Sequence, residues 1–145
     1  MKHVVILGAG TAGTMMANHL HHQLKHPDWE ITIIDEREEH HYQPGYLFLP
    51  FDIYAPEDII KTIEEFIPKD VKLVKNKINR IKPADNKIEL TGGNEIAYDI
   101  LIITTGAKIA PEETEGMKGA EVQKSVFYFY TFERSLALRY KLRDC

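Results

Sequence analysis

The chain has 145 residues, a length that suits one ordinary domain with a hydrophobic core of its own. Apolar residues make up 43% and charged residues 28%, which is the balance of a folded globular chain and not of a disordered one. A net charge of -4 argues against a general nucleic-acid binder, and a single cysteine cannot form an internal disulfide. We therefore expect a folded protein of a reducing compartment, the cytoplasm.

The first 35 residues follow a strand, turn, helix and strand order. Residues 3–7 form a continuous apolar run followed by glycine, which predicts a buried parallel strand. Residues 11 to about 25 predict a helix that Pro27 and Asp28 end, and residues 31–35 predict a second buried strand. Together they predict a βαβ unit with a right-handed crossover.

The turn of this unit reads G-x-G-x-x-G. Gly8 permits the tight turn, Gly10 lets the backbone approach a pyrophosphate, and Gly13 lets helix and strand pack closely. The first helical N–H groups, from about Thr11, would point at the anion. Asp35 ends the second strand, where a carboxylate accepts hydrogen bonds from ribose hydroxyls and disfavours a 2′-phosphate. The fingerprint predicts a dinucleotide site and by itself fits FAD and NAD alike.

The middle of the chain begins with a loop rich in aromatic residues, from residue 36 to about 54. Residues 55–67 predict an amphipathic helix, because apolar side chains recur at a helical period before Pro68. These apolar side chains are Ile59, Ile60, Ile63, Phe66 and Ile67. Residues 71–74 alternate as a strand does.

Three strand-like runs follow, at residues 78–81, 87–90 and 95–103. The turn residues between them predict an antiparallel meander, and the apolar end of the last run, residues 100–103, predicts a return to the central sheet. A loop and a helix over about residues 130–143 complete the pattern. The predicted fold is α/β, a Rossmann-like FAD/NAD(P)-binding fold whose parallel central sheet carries an inserted antiparallel β-meander.

Two further motifs resemble a known family. Tyr98 and Asp99, an apolar strand and Thr104-Thr105-Gly106 resemble the second signature of the FAD-dependent pyridine nucleotide-disulfide oxidoreductase superfamily, with Thr104 at the usual alanine. The proline-containing loop at residues 41–50 resembles that of the sulfide:quinone oxidoreductase group, to which type II NADH dehydrogenases are closely related. The resemblance runs through essentially the whole chain and implies FAD as the cofactor.

The resemblance also implies which residues hold the adenosine half of the cofactor. Asp35 would bind the ribose, while Glu36 and Arg37 would lie beside the adenine. The residues implied for the pyrophosphate are Gly8, Gly10, Thr11, Ala12 and Gly13.

Other implied contacts come from later segments. Gln43 and Pro44 would approach the isoalloxazine ring, and Ile78 would meet the adenine through its backbone. Thr105 and Gly106 would close over the cofactor.

The implied activity is electron transfer from sulfide through FAD to a quinone. Sulfide oxidation in this group uses a pair of cysteines, whereas this chain has only Cys145, with Phe127 where some members carry cysteine. We therefore predict no catalytic residue here. Residues 1–110 are interpreted as the N-terminal part of an FAD-binding domain, and residues 111–145 as a segment and helix leading to a second dinucleotide-binding domain. Such a fragment is expected to be inactive alone.

Two alternatives stay open at this point: a type II NADH:quinone dehydrogenase-like flavoprotein with NADH as donor, and a non-catalytic NAD- or nucleotide-binding Rossmann module. His19, His22 and His26 share a helical face that is interpreted as solvated and not as a zinc site. The aromatic run at residues 127–130 favours packing over quinone binding, and its exposure would favour a homodimer. Peripheral membrane association is expected only through a region beyond this chain.

Overall fold

The computed structural model describes residues 1–24 and 27–144. The strands are β1 (Lys2–Leu7), β2 (Trp29–Asp35), β3 (Glu39–His41), β4 (Ile60–Thr62), β5 (Lys72–Lys75), β6 (Ile78–Lys82), β7 (Lys87–Leu90), β8 (Glu95–Ala97) and β9 (Ile100–Ile103). The α-helices are α1 (Thr11–Gln23) and α2 (Phe132–Arg143). Short 3-10 helices cover Gln43–Leu47, Leu49–Phe51, Pro56–Asp58, Ile63–Phe66, Pro83–Asp85 and Pro111–Glu113.

The chain divides into two compact units. The first unit contains Met1–His40 and Thr62–Gly106, and the second contains His41–Lys61 and the chain from Ala107 onward. The predicted division at residue 110 stays a prediction. Among the described residues, no helix combines the length and apolar character needed to cross a membrane.

A four-stranded parallel sheet forms the centre of the first unit, in the order β5-β2-β1-β9. β1 pairs with β2 from Lys2–Trp29 to Leu7–Ile34, and with β9 from Val4–Ile100 to Leu7–Ile103. Because the strands are parallel, their carboxyl ends meet at one edge of the sheet. The predicted α/β fold and the predicted βαβ unit are confirmed.

Both faces of the sheet are covered at its central strands β1 and β2, as their continuous apolar runs predict. Val4 and Ile6 point to one face, where Ala17 of α1 joins the core, while Val5 and Leu7 point to the other, where Ile88 of the meander covers them. Successive strand residues thus supply two separate cores. This arrangement holds the β1–α1 turn between a helix and a second sheet.

The meander is antiparallel, with the order β6-β7-β8, as predicted. The return of residues 100–103 to the central sheet is confirmed, since β9 pairs with β1. One continuous strand over residues 95–103 is wrong, because this run makes two strands in two different sheets. Asp99 forces the change of direction. Its side chain accepts a 2.6 Å hydrogen bond from the His3 N–H, and its own N–H donates to the His3 carbonyl at 2.8 Å.

The helix predicted over residues 55–67 is also wrong. The segment consists of a 3-10 turn, β4 and a second 3-10 turn, with β4 paired to β3. Ile59 and Ile63 would share one face of a helix, yet Ile63 joins the core of the first unit while Ile59 packs against Gly45 in the second. The chain passes from one unit to the other between them, so a helical period does not describe their burial.

In the second unit, α2 turns polar side chains inward. Ser135 is fully buried and donates to the Tyr46 carbonyl at 2.6 Å. Arg139 is also buried, and its Nη1 donates to the Tyr54 carbonyl at 3.3 Å. Its Nε lies 2.6 Å from Asp52 and forms an ion pair with it, but the N–H does not point at the carboxylate as a hydrogen bond requires. By contrast, Tyr140 and Leu142 of the same helix are 58% and 46% exposed. Polar contacts therefore fix α2, which begins two residues later than predicted.

Candidate functional site

A cavity of about 420 Å³ lies in the first unit, a volume within the roughly 300–1,000 Å³ of small-molecule sites. It is formed at the carboxyl ends of β1, β2, β5 and β9, which is where open α/β sheets bind ligands. Its lining residues are Gly8, Ile34, Asp35, Glu36, Arg37, Asn76, Lys77, Ile78 and Thr105.

The glycine turn brings β1 and α1 together over this cavity. Gly8 has a φ of +93°, and a side chain there would also come within 2.6 Å of the Thr104 carbonyl oxygen. A Cβ at Gly13 would overlap the carbonyl oxygen of Gly8. The internal geometry of the protein therefore requires glycine at both positions, as the motif predicts.

Gly10 differs from its two neighbours. Its φ of -73° is open to any residue, and a Cβ there would meet only the Arg37 Nη2, at 3.9 Å. Nothing described in the fold itself requires glycine here. An approach by something outside the chain, such as a pyrophosphate, would require it.

The first turn of α1 presents free donors beside Gly10. Thr14 N–H makes the first helical hydrogen bond, to the Gly10 carbonyl at 2.9 Å, and no side chain caps the helix. The N–H groups of Thr11, Ala12 and Gly13 therefore have no acceptor within the helix. Such a helix end, with its partial positive charge, suits an anion.

Asp35 is a buried carboxylate at the end of β2, 6% exposed. Its Oδ2 accepts a 2.7 Å hydrogen bond from the Ala9 N–H, and its Oδ1 accepts one of 2.9 Å from the Arg37 N–H. Burial raises the pKa of Asp35, but the hydrogen bonds from Arg37 and Ala9 and the charge of Arg37 outweigh it and hold the pKa below its ordinary value. The carboxylate is therefore ionised at neutral pH.

This pKa predicts a pH dependence of stability. A carboxyl whose folded pKa is depressed stabilises the fold above its unfolded value, about 4, and loses that contribution as the pH falls through the folded pKa. We expect the free energy of unfolding to fall more steeply below about pH 4 in the wild type than in D35N. Urea titrations at several pH values measure this difference; parallel curves for the two proteins would contradict it.

Thr104 ties the end of β9 to the glycine turn. Its N–H donates to the Leu7 carbonyl at 2.8 Å, and its hydroxyl lies 2.7 Å from the Leu7 oxygen and 2.9 Å from the Gly8 oxygen. A threonine at the usual alanine position thus keeps the turn intact, as expected, and adds a hydroxyl contact that sequence reasoning missed.

We predict that T104V, which keeps the shape and removes the hydroxyl, lowers the free energy of unfolding by about 1–2 kcal/mol, because the carbonyl oxygens at the turn lose a donor. T104S keeps the hydroxyl and is the matched control. Urea denaturation measures both variants. Equal losses in T104V and T104S would assign the effect to packing and contradict the hydrogen-bond account.

The structure brings most of the predicted site residues together. Gly8, Asp35, Glu36, Arg37, Ile78 and Thr105 line one cavity. The others of the first unit are Gly10, Thr11, Ala12 and Gly13 at the helix start, and Gly106 directly after Thr105. Gln43 and Pro44 begin a 3-10 helix of the second unit and do not line this cavity. Their predicted contact with the flavin stays a prediction.

Sequence reasoning missed three lining residues, Ile34, Asn76 and Lys77. Asn76 N–H donates to the Asp35 carbonyl at 3.0 Å, which places the turn after β5 beside the end of β2. The signal was present, because Asn76 and Lys77 directly follow a predicted strand of the parallel sheet. Assigning that strand as the neighbour of β2 would have placed them at the site.

Within residues 1–24 and 27–144, no group of three or more His, Cys, Asp or Glu residues could hold a metal ion. The predictions for His26 and Cys145 lie outside the described residues.

Comparison with known proteins places these features in context. A family model described as pyridine nucleotide-disulphide oxidoreductase matches residues 2–144. The mitochondrial sulfide:quinone oxidoreductase of Dictyostelium discoideum is 31% identical over 130 residues, which are 90% of this chain and 28% of that protein. A type II NADH:quinone oxidoreductase of Staphylococcus saprophyticus is 31% identical over 120 residues, which are 81% of this chain and 29% of that protein.

Among solved structures, the sulfide:quinone oxidoreductase of Aquifex aeolicus aligns with a TM-score of 0.79 and 28% identity. The alignment covers 99% of this chain and 32% of that one. The chain thus spans about a third or less of the length of the relatives that it matches.

Proposed function

The chain belongs to the pyridine nucleotide-disulphide oxidoreductase family, and on this premise we propose that it is the FAD-binding part of a flavin-dependent oxidoreductase of the sulfide:quinone type. The observation that carries the proposal is the joint placement, at one sheet edge, of an uncapped helix start, open space at Gly10 and the buried carboxylate of Asp35. These groups match the pyrophosphate and ribose of a dinucleotide.

The chain's own residues bind and orient in this proposal. The N–H groups of Thr11, Ala12 and Gly13 hold the pyrophosphate, and Gly10 leaves it room. Asp35 accepts from the ribose, with the adenine beside Ile78. When bound, the flavin supplies the redox chemistry, while the protein supplies position and electrostatics.

Titration of the purified chain with FAD tests the proposal. We expect saturable binding, read as a red shift or quenching of the flavin spectrum, and competition by ADP. A chain that binds NAD but not FAD would support the alternative of a non-catalytic nucleotide-binding module. A chain that binds neither would overturn the proposed site.

A second candidate function, the type II NADH:quinone type, is favoured by the similarity to the Staphylococcus saprophyticus protein. The two candidates share FAD and a quinone acceptor and differ in the electron donor. Anaerobic addition of sulfide or NADH to a longer flavoprotein that contains this chain separates them, since only the true donor bleaches the flavin. The cytoplasmic location, peripheral membrane association and homodimer stay predictions.

A further inference from the structure

The carboxylate of Asp35 has no acceptor position left for a ligand. A carboxylate offers about four lone-pair positions. Main-chain N–H groups of Ala9 and Arg37 take one on each oxygen. The Arg37 guanidinium takes the others, with Nε 3.2 Å from Oδ1 and Nη2 3.2 Å from Oδ2. A ribose hydroxyl that donates to Asp35 must therefore replace one of these donors.

The four donors are not equally easy to replace. The two main-chain bonds are short, 2.7 and 2.9 Å, and belong to the glycine turn and the strand end. The two guanidinium contacts are longer, and the Arg37 side chain is 60% exposed. When this pair opens, water solvates the released guanidinium, and the ribose hydroxyl takes its place at the buried carboxylate. The guanidinium is thus the donor that a ligand displaces.

The guanidinium also lies beside the point at which the pyrophosphate is proposed to approach the backbone. Its Nη2 is 3.9 Å from the position of a Cβ on Gly10, the point that the fold leaves open. Arg37 is also a lining residue of the cavity. The same group therefore occupies the acceptor and lies beside the proposed position of the pyrophosphate.

We infer that the Arg37 guanidinium is an internal plug of the nucleotide site, which the ribose of an adenine nucleotide displaces from the Asp35 carboxylate on binding. This inference rests on the proposed nucleotide function and adds one step to it, the displacement of the guanidinium by the ribose. In the free site, an ion pair within the chain occupies the acceptor for the ribose. The affinity for the ligand therefore includes the free-energy cost of breaking that ion pair. A variant without the guanidinium has no such cost.

Affinity for ADP, measured by calorimetry, provides the first test. We expect R37M to bind ADP about two- to fivefold more tightly than wild type, because the ribose hydroxyl no longer has to displace an ion pair whose cation is exposed. R143M is the matched control, because Arg143 makes a similar two-contact pair with Asp52 in the second unit, with contacts of 3.1 and 2.6 Å. It should leave the affinity unchanged. Unchanged or weaker binding by R37M would overturn the plug.

Displacement itself is visible by NMR. On saturation with ADP, the Arg37 Nε–H resonance should shift and exchange faster with water, while that of Arg143 stays in place. A resonance of Arg37 that does not respond at saturation would show that the ion pair persists, and would overturn the inference while leaving the nucleotide site standing. If neither wild type nor R37M binds ADP, the proposed site fails, and the plug fails with it.

Discussion

Gly13→Ala is expected to destabilise the protein by about 3 kcal/mol or more, a large share of the roughly 5–15 kcal/mol that holds a domain folded. The added Cβ would overlap the Gly8 carbonyl oxygen and come within 2.9 Å of the Thr104 hydroxyl. Neither neighbour can yield easily, because Gly8 belongs to the tight turn and Thr104 is bonded to it. Helix α1 must therefore move away from β1, opening the core that Ala17 and Ile6 share.

Urea denaturation followed by far-ultraviolet circular dichroism measures this loss. The matched control is Gly10→Ala, which makes the same chemical change three residues earlier in the same motif. A Cβ at Gly10 meets nothing nearer than the Arg37 Nη2 at 3.9 Å, so we expect a loss of about 1 kcal/mol or less, the difference between glycine and alanine at an N-cap. If G13A retained the stability of G10A, the close packing of α1 on β1 would be refuted.

Gly10→Ala is expected to lower the affinity for the ligand and not the stability of the fold. In the free protein the added methyl has room, but in the proposed complex it would lie between the backbone and the pyrophosphate. We expect the affinity for FAD to fall roughly tenfold to a hundredfold, the range that corresponds to the cost of overpacking a close contact. The stability of the free protein should stay near that of the wild type.

Fluorescence or calorimetric titration with FAD and with ADP measures this change. Because ADP carries the same pyrophosphate, both ligands should lose affinity together. If G10A bound both ligands as tightly as the wild type does, the pyrophosphate could not lie at the start of α1. The two alanine variants thus separate the two roles proposed for the motif: Gly13 serves the fold, and Gly10 serves the binding of a ligand.

Features that depend on neighbours close along the chain were predictable. The apolar runs at residues 3–7 and 31–35, with the glycines between them, were sufficient to predict the βαβ unit. Asp35 could be placed at the site because a strand end has a defined position in a parallel sheet. The turns around residues 83–86 and 91–94 likewise predicted the meander.

Other features depend on surfaces that meet from far apart in the chain. Residues 55–67 carry a helical period, yet their isoleucines belong to two units. Ser135 and Arg139 are buried only because the Tyr46 and Tyr54 carbonyls accept from them, 89 and 85 positions away in the sequence. Local periodicity contains no information on such partners.

By itself, then, the sequence determined the order of strand, glycine turn, helix and strand, and its further motifs indicated the family and a candidate nucleotide site. The tertiary structure supplied the distance from each Cβ position to the opposite backbone, which makes glycine necessary for the fold at Gly13 and not at Gly10. It also decided that the Asp35 carboxylate is already satisfied by Arg37. Both follow from three-dimensional distances between groups, which a periodic pattern cannot encode.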